Sequence, residues 1–434
     1  MIANFFLSPP AATGLRCALR NSHSGGTAGG GKHTHRLLSS LDTAADSSAA
    51  DRLIRKFVAA SSKSAALHTL SHLLSLSSRF ALPIYRRISE ANWFKWNPKL
   101  AAAMAAVLVN QGRAAEAEGL ISESVSRLNS DLEVSLFYCD LIEAFSERGL
   151  KDFALDFYSR LHEIPCSGRK PFESMIKALC LMGLPVDAEE KLKEMAFLGF
   201  RPSPFEFRLV MQSYGKLGSF AEMSRVLGIM EDAGLAVDTV CTNVVLSCYG
   251  DHGELAKMVS WIRKMKKLGI GFSVRTFNVV LNSCRTIISI VRDVKHIPLS
   301  IAALVKKVEE DSPSPDEALL VRELVGSSVL VDILEWSRDE GKLDLHGFHV
   351  ASAYVILLQW VEELRIRFSV DEVAPLEISV VCGSGKHSDK IGESPVRMLV
   401  SEMMFQLNSS MRIDRKNAGR FVARGKAVRD WLCQ

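Results

Sequence analysis

The chain has 434 residues, 47% of them apolar and 24% charged, with a net charge of +4. Such a composition belongs to a folded protein large enough for two or three domains, and so small a net charge excludes a chain-wide basic field as the means of holding nucleic acid. No apolar run reaches the roughly 20 residues of a membrane-spanning helix, and the nine cysteines include no CxxC pair, so reduced core thiols are expected rather than disulfides or a zinc site.

The first 41 residues contain no Asp or Glu but hold Arg16, Arg20, Lys32 and Arg36 among many Ser, Ala and Gly. A basic, hydroxyl-rich, acid-free leader is the pattern of an organelle transit peptide. Residues 1–50 are therefore expected to be a transit peptide or disordered leader, for the chloroplast or, alternatively, the mitochondrion. Residues 51–97 are expected to form a helical N-terminal region.

Three blocks then align without gaps: 169–203, 204–238 and 239–273. Gly183, Gly218 and Gly253 recur every 35 residues, as do Met195, Met230 and Met265, and Gly199, Gly234 and Gly269. Each block holds an apolar run, a glycine turn, an amphipathic run ending near Met, and a glycine stop, which predicts a helix–turn–helix unit. One such unit cannot bury its apolar faces alone, so neighbours should stack into a solenoid. Weaker copies upstream, and VRTFNVVLNSCR downstream, extend the predicted array over 98–308, with register lost after Arg285.

The 35-residue period, the glycine and methionine positions and starts such as VRTFN resemble the pentatricopeptide repeat family; the tetratricopeptide family, which binds proteins, is the structural neighbour. The resemblance implies binding of single-stranded RNA, with bases read by the fifth and last residues of each unit. Those pairs would be Glu173 with Ser203, Arg208 with Asp238 and Asn243 with Ser273. Only the last looks like a working pair, and an Asn at the fifth position goes with pyrimidines in the family. Asn278 fits the fifth position of a further copy, but its partner would be Val308. The alternative for Asn243 is a hydrogen bond within its own helices.

The Ser-Pro pairs of EEDSPSPDEA (309–318) predict a linker, and Asp316 and Glu317 favour the start of a helix running to about Arg338; 309–342 is thus expected as linker and helix. From Lys342 the periodicity changes. KLDLH and LEISVVC read as strands and HVASAYVILLQWVEELRIRF as a helix. VRMLVSEMMFQL is a second helix behind Pro395, MRIDR and GRFVARG a short hairpin, and KAVRDWL a closing helix. The expected fold is an α-solenoid of helix–turn–helix repeats followed by a small α/β sandwich domain over 343–434.

LDLHG, the glycine loop CGSGKHS and the ending NAGRFVARGKAVRDWL together resemble the Smr (small MutS-related) domain. That resemblance implies nicking or cleavage of nucleic acid, with Asp344 and His346 as the catalytic candidates. An imidazole near neutral pH can act as acid or base, and the carboxylate can fix its tautomer, activate water or hold a divalent ion such as Mg²⁺. No cofactor is otherwise implied and the metal is unknown. Gly383 and Gly385 would let backbone N–H groups approach a phosphate, with Lys386 and His387 adding charge. Cys382 stands where Thr is common in the family, which removes a hydroxyl. Beyond Met411 seven basic residues, among them Arg420 and Arg424, face two acidic ones, a candidate phosphate-contacting surface. The expected function is RNA processing in an organelle, with possible endonuclease activity and other organellar RNA-processing proteins as partners. The alternatives are a non-catalytic RNA-binding factor and a protein-binding helical scaffold.

Overall fold

The computed structural model describes residues 30–164, 168–369, 373–382 and 394–433. The chain divides into two compact units, Met1–Ser213 and Tyr214–Gln434. This division falls inside the second of the three aligned blocks, not at the expected start of the C-terminal domain. The last repeats and the C-terminal strands therefore belong to one unit.

In the first unit, α1 (Gly30–Asp42), α2 (Ser47–Ala60), α3 (Lys63–Ser75) and α4 (Ala81–Ser89) precede the array. Leu37 and Leu41 of α1 are buried, and α1 packs on α2 and α3. Residues 30–50, expected within the leader, are thus folded, because Leu37 and Leu41 share one helical face that α2 can cover. The basic stretch before Gly30 lies outside the described residues. The array begins at α5 (Pro98–Asn110), where Asn97 caps the helix by accepting from the amides of Lys99 and Leu100. It continues through α6 (Ala114–Val125), α7 (Asp131–Ser146), α8 (Lys151–His162), α9 (Arg169–Leu181) and α10 (Pro185–Phe197) to α11 (Pro204–Lys216), whose last turn already belongs to the second unit.

The second unit carries on with α12 (Phe220–Asp232), α13 (Thr239–Asp251) and α14 (Leu255–Lys267). In all three blocks both helices have 13 residues and the same offsets, as the gapless alignment predicts. The reason lies in their ends. Gly183, Gly218 and Gly253 have φ of 73°, 73° and 70°, and Gly199, Gly234 and Gly269 have 87°, 76° and 68°. Only glycine adopts this left-handed conformation without a Cβ penalty. After each second glycine the next amide donates back to a methionine carbonyl: Phe200 to Met195, Leu235 to Met230 and Ile270 to Met265, at 2.9–3.1 Å. The recurring Gly and Met therefore belong to one helix stop. The methionine side chains are buried as well, each contributing about 1.5–3 kcal/mol by leaving water.

The fourth copy departs from this rule. Ile288 and Leu304 stand where glycines would recur, and the first helix, α15 (Val274–Ser283), is ten residues long. Then follow α16 (Arg285–Arg292), α17 (Ile301–Asp311) and α18 (Pro315–Val325). The expected linker is only a turn between α17 and α18, two helices that pack on each other. Ser314 caps α18 by accepting from Asp316 N. The helix expected to run to Arg338 stops at Val325, before the Gly-Ser-Ser of 326–328. A short α19 (Val329–Ile333) leads into β1 (Leu334–Trp336), a strand that the sequence reading did not anticipate.

β2 (Glu340–Asp344), α20 (Val350–Ser369), β3 (Glu377–Val381), α21 (Pro395–Gln406), β4 (Arg412–Ile413), β5 (Arg420–Arg424) and α22 (Gly425–Leu432) complete the chain. The five strands form one mixed sheet in the order β1-β2-β3-β5-β4. β2 and β3 are parallel, joined through α20, and the other pairings are antiparallel. This is the α/β region expected, built on five strands. α20 is buried on all sides from Ala351 to Val361, because it packs on α15, α16 and α17 as well as on α21 and α22.

Close approach within the second unit sets a further demand. A Cβ at Gly215 would lie 2.3 Å from Cys248 Sγ and 2.6 Å from Cys248 Cβ, whereas one at Gly228 would meet nothing within 4 Å. Gly215→Ala should therefore destabilise the protein by about 1–3 kcal/mol through overpacking. Gly228→Ala, inside α12, should stabilise it by about 0.5–1 kcal/mol through the unfolded state. Urea unfolding of the two variants beside the parent checks both signs.

Candidate nucleic-acid interface

Asp344 ends β2, and its Oδ1 accepts the His346 backbone amide at 2.9 Å and lies 2.6 Å from His346 Nδ1. The pair expected from LDLHG is therefore brought together, though by a turn and not by two side chains on one strand face. Leu345 between them is buried and donates its amide to Val381 O at 2.8 Å, which keeps the turn seated on the sheet. Gly347 follows at φ 81°. The imidazole is solvent-accessible, the His346 side chain being 60% exposed, and it meets Asp344 through Nδ1, so that Nε2 is the ring nitrogen a ligand would reach.

Cys382 lies next to the end of β3 and is buried. Burial pushes its thiol up to about 12, with Asp344 adding to the shift and Arg397 opposing it. The group is thus a neutral thiol at physiological pH and not a nucleophile. Gly383, Gly385, Lys386 and His387 lie outside the described residues.

Arg420, expected on a phosphate-contacting face, is already engaged. Its guanidinium bonds Glu340 at 2.6 Å and Glu377 at 2.7 Å and approaches Asp414 at 3.5 Å. β5 places it opposite Val381 at the centre of the sheet, where three neighbouring carboxylates compensate it. The sequence excess of basic over acidic residues in the tail overlooked Glu340 and Glu377, which pairing with β2 and β3 supplies. Arg424, at the end of the same strand, is exposed.

The four fifth-position residues meet different fates. Asn243 is 3% exposed. Its Nδ2 donates to Ser273 Oγ at 3.2 Å and its Oδ1 accepts from Thr276 Oγ1 at 2.9 Å. The proposed reading pair is thus in direct contact, with the amide engaged between α13 and the capping box that opens α15. Glu173 accepts from Arg169 Nε at 2.5 Å and from Lys170. Ser203 is tied to Glu206 by its amide and its hydroxyl. Arg208 is half-buried on α11, and Asp238 caps α13 by accepting from Cys241 N at 2.8 Å.

Asn278 has an unanticipated partner. Its Nδ2 donates to Gly347 O at 2.7 Å and its Oδ1 accepts the His349 amide at 2.9 Å. One turn on, Asn282 Nδ2 lies 2.7 Å from His349 Nδ1, and Phe277 meets Phe348 edge-on with ring centroids 6.3 Å apart. α15 thus holds the turn that carries Asp344 and His346. The alternation of Asn278 and Asn282 on α15 marks this face in the sequence, but nothing there names Gly347 and His349 as its partners.

A magnesium ion needs several oxygen ligands, mostly carboxylates and waters. Among the described residues no cluster of three or more His, Cys, Asp or Glu side chains could hold a metal ion. Among the same residues no helix is long and apolar enough to cross a membrane.

Two measurements test these assignments. The Glu340 carboxyl is held below its ordinary value of 4.5, first by the hydrogen bond from Ser379 and then by Arg420. A depressed folded value means that this stabilisation is complete above pH 4.5 and is lost as the pH falls through the folded value. Arg420→Ala should lower stability at pH 7 by on the order of 1 kcal/mol and weaken the acid dependence of urea unfolding below pH 4.5. At pH 7.5 a thiol reagent should label exposed Cys433 at once and Cys382 only on unfolding; mass spectrometry of the labelled peptides reports the order.

A family model described as pentatricopeptide repeat-containing protein matches residues 180–295. The pentatricopeptide repeat-containing protein At2g17033 of Arabidopsis thaliana is 48% identical over 420 residues, spanning 93% of this chain and 82% of its own. The chloroplastic ATP4 homolog of Oryza sativa subsp. japonica is 21% identical over 275 residues, 60% of this chain and 39% of that protein. Of solved structures, that of the pentatricopeptide repeat protein PPR10 from maize aligns over 86% of this chain and 55% of its own, at 14% identity and a TM-score of 0.40. The chain spans most of the Arabidopsis relative but only about two fifths of the rice protein and about half of the maize one. With glycine-stopped helix pairs repeating every 35 residues and a relative of this identity over about four fifths of its length, the chain belongs to the pentatricopeptide repeat family.

Proposed function

We propose that this protein binds single-stranded RNA in an organelle through its repeats, and that its C-terminal region, Smr-like in LDLHG and in its ending, acts on the bound strand as an endonuclease at Asp344 and His346. The observation that carries this reading is the 2.6 Å contact between Asp344 Oδ1 and an exposed His346 ring, in a unit shared with the repeats. Family membership supports RNA as the ligand. The acid-free leader, and the word chloroplastic in the name of the rice relative, support the chloroplast.

In the cleavage step His346 would take a proton from the attacking oxygen, or give one to the departing oxygen, while Asp344 holds its tautomer. Arg424 is available to a phosphate, whereas Arg420 is held by carboxylates of its own sheet. That engagement, together with the missing hydroxyl at Cys382, favours a second reading in which the C-terminal region binds RNA without cutting it and shields transcripts or recruits processing proteins.

End-labelled single-stranded RNA incubated with the protein, with and without Mg²⁺, separates the two. Retention should weaken steeply between about 50 and 200 mM salt as phosphate contacts are screened. Cleavage should be abolished in the Asp344→Ala/His346→Ala double variant while retention persists. Uncut RNA with full retention selects the second reading, and no retention even at low salt overturns both.

A further inference from the structure

In the pentatricopeptide repeat family the fifth residue of each unit reads a base, and the fourth occurrence of that position along the aligned blocks is Asn278. A base reader must offer its amide to a ligand. Asn278 is 9% exposed, and both halves of its amide are taken up by the backbone on either side of Phe348: Gly347 O at 2.7 Å and His349 N at 2.9 Å. A donor and an acceptor offered side by side are what an Asn presents to the edge of a base. Here the chain's own backbone supplies the complementary acceptor and donor.

The surroundings reinforce the contact. Phe348 is buried edge-on to Phe277, Val274 Cγ1 would lie 3.7 Å from a Cβ at Gly347, and Asn282 meets His349 Nδ1 at 2.7 Å. Leu345, on the other side of His346, is fixed to β3 through Val381 O. The Asp344–His346 turn is therefore pinned at both ends, by the sheet before it and by α15 after it. Gly347 lets the chain change direction between the two anchors.

We infer that Asn278 is a positioning residue: its amide is filled by a segment of the protein itself, and it fixes the Asp344–His346 turn to the repeat that follows Asn243. Asn278 is then closed to a base, as is Asn243, whose amide is bonded to Ser273 and Thr276 at the start of the very helix that carries Asn278. This rests on the RNA-binding reading for its consequence, but the clamp itself does not depend on it.

The test uses the full chain and two variants, Asn278→Ala and Asn278→Asp. Hydrogen exchange at residues 345–353 should quicken about tenfold or more in Asn278→Ala, and the ¹⁵N imidazole signature of His346 should pass from one tautomer to a mixture. Asn278→Asp keeps the acceptor for His349 N and loses the donor to Gly347 O, so it should fall between the parent and Asn278→Ala. On single-stranded oligonucleotides differing at one base, Asn278→Ala should keep the parent's base preference. Unchanged exchange and tautomer in Asn278→Ala, or a change of base preference in that variant, overturns the inference. If the protein retains no RNA, the RNA-binding reading fails while the exchange and tautomer results still decide the clamp.

Discussion

Each well-formed repeat depends on two glycines held at positive φ. A helix left to its own propensity would run on or fray, and its neighbour would no longer meet it at the same height. With Gly183, Gly218 and Gly253 ending the first helices and Gly199, Gly234 and Gly269 the second, every helix has 13 residues and every block 35. Fixed length lets apolar positions recur at the same heights, so that Met195, Met230 and Met265 each find a dry environment. Where Ile288 and Leu304 replace the glycines, α15 shortens and the regular array stops.

What replaces the array there is a sheet assembled by ion pairing as well as by hydrophobic burial. Arg420 joins carboxylates from β2, β3 and the β4–β5 turn around one guanidinium. A planar donor fork can satisfy several carboxylates at once, which suits Arg and not Lys. The same contacts take Arg420 out of consideration as a free phosphate ligand. Helix α20 then packs on α15, α16 and α17 on one hand and on α21 and α22 on the other, with scarcely an exposed residue in its first three turns, which is why repeats and strands form one unit instead of two joined by a linker.

The candidate site follows from that fusion. Asp344 and His346 lie on a turn whose first half is bonded to β3 and whose second half is held by α15. Neither anchor touches the imidazole itself. Both limit where it can go, and pre-positioning of this kind is what acid–base chemistry on a bound phosphodiester requires.

The sequence by itself determined the repeat period, the glycine stops of the repeat helices and the positions of β3, the last hairpin and the closing helix, because these are set by local chemistry: glycine φ, prolines in first turns, and alternation of apolar residues. It also brought out Asp344 and His346, since two residues so close in the chain meet whenever the chain turns. Only the tertiary structure decided that EEDSPSPDEA is a turn between packed helices, that Leu334–Trp336 is an edge strand, that Arg420 is neutralised and that Asn278 grips Gly347 and His349. The last two depend on partners between 43 and 80 residues away in the chain. Composition and periodicity carry no record of which distant backbone amide or carboxylate will arrive beside a given side chain.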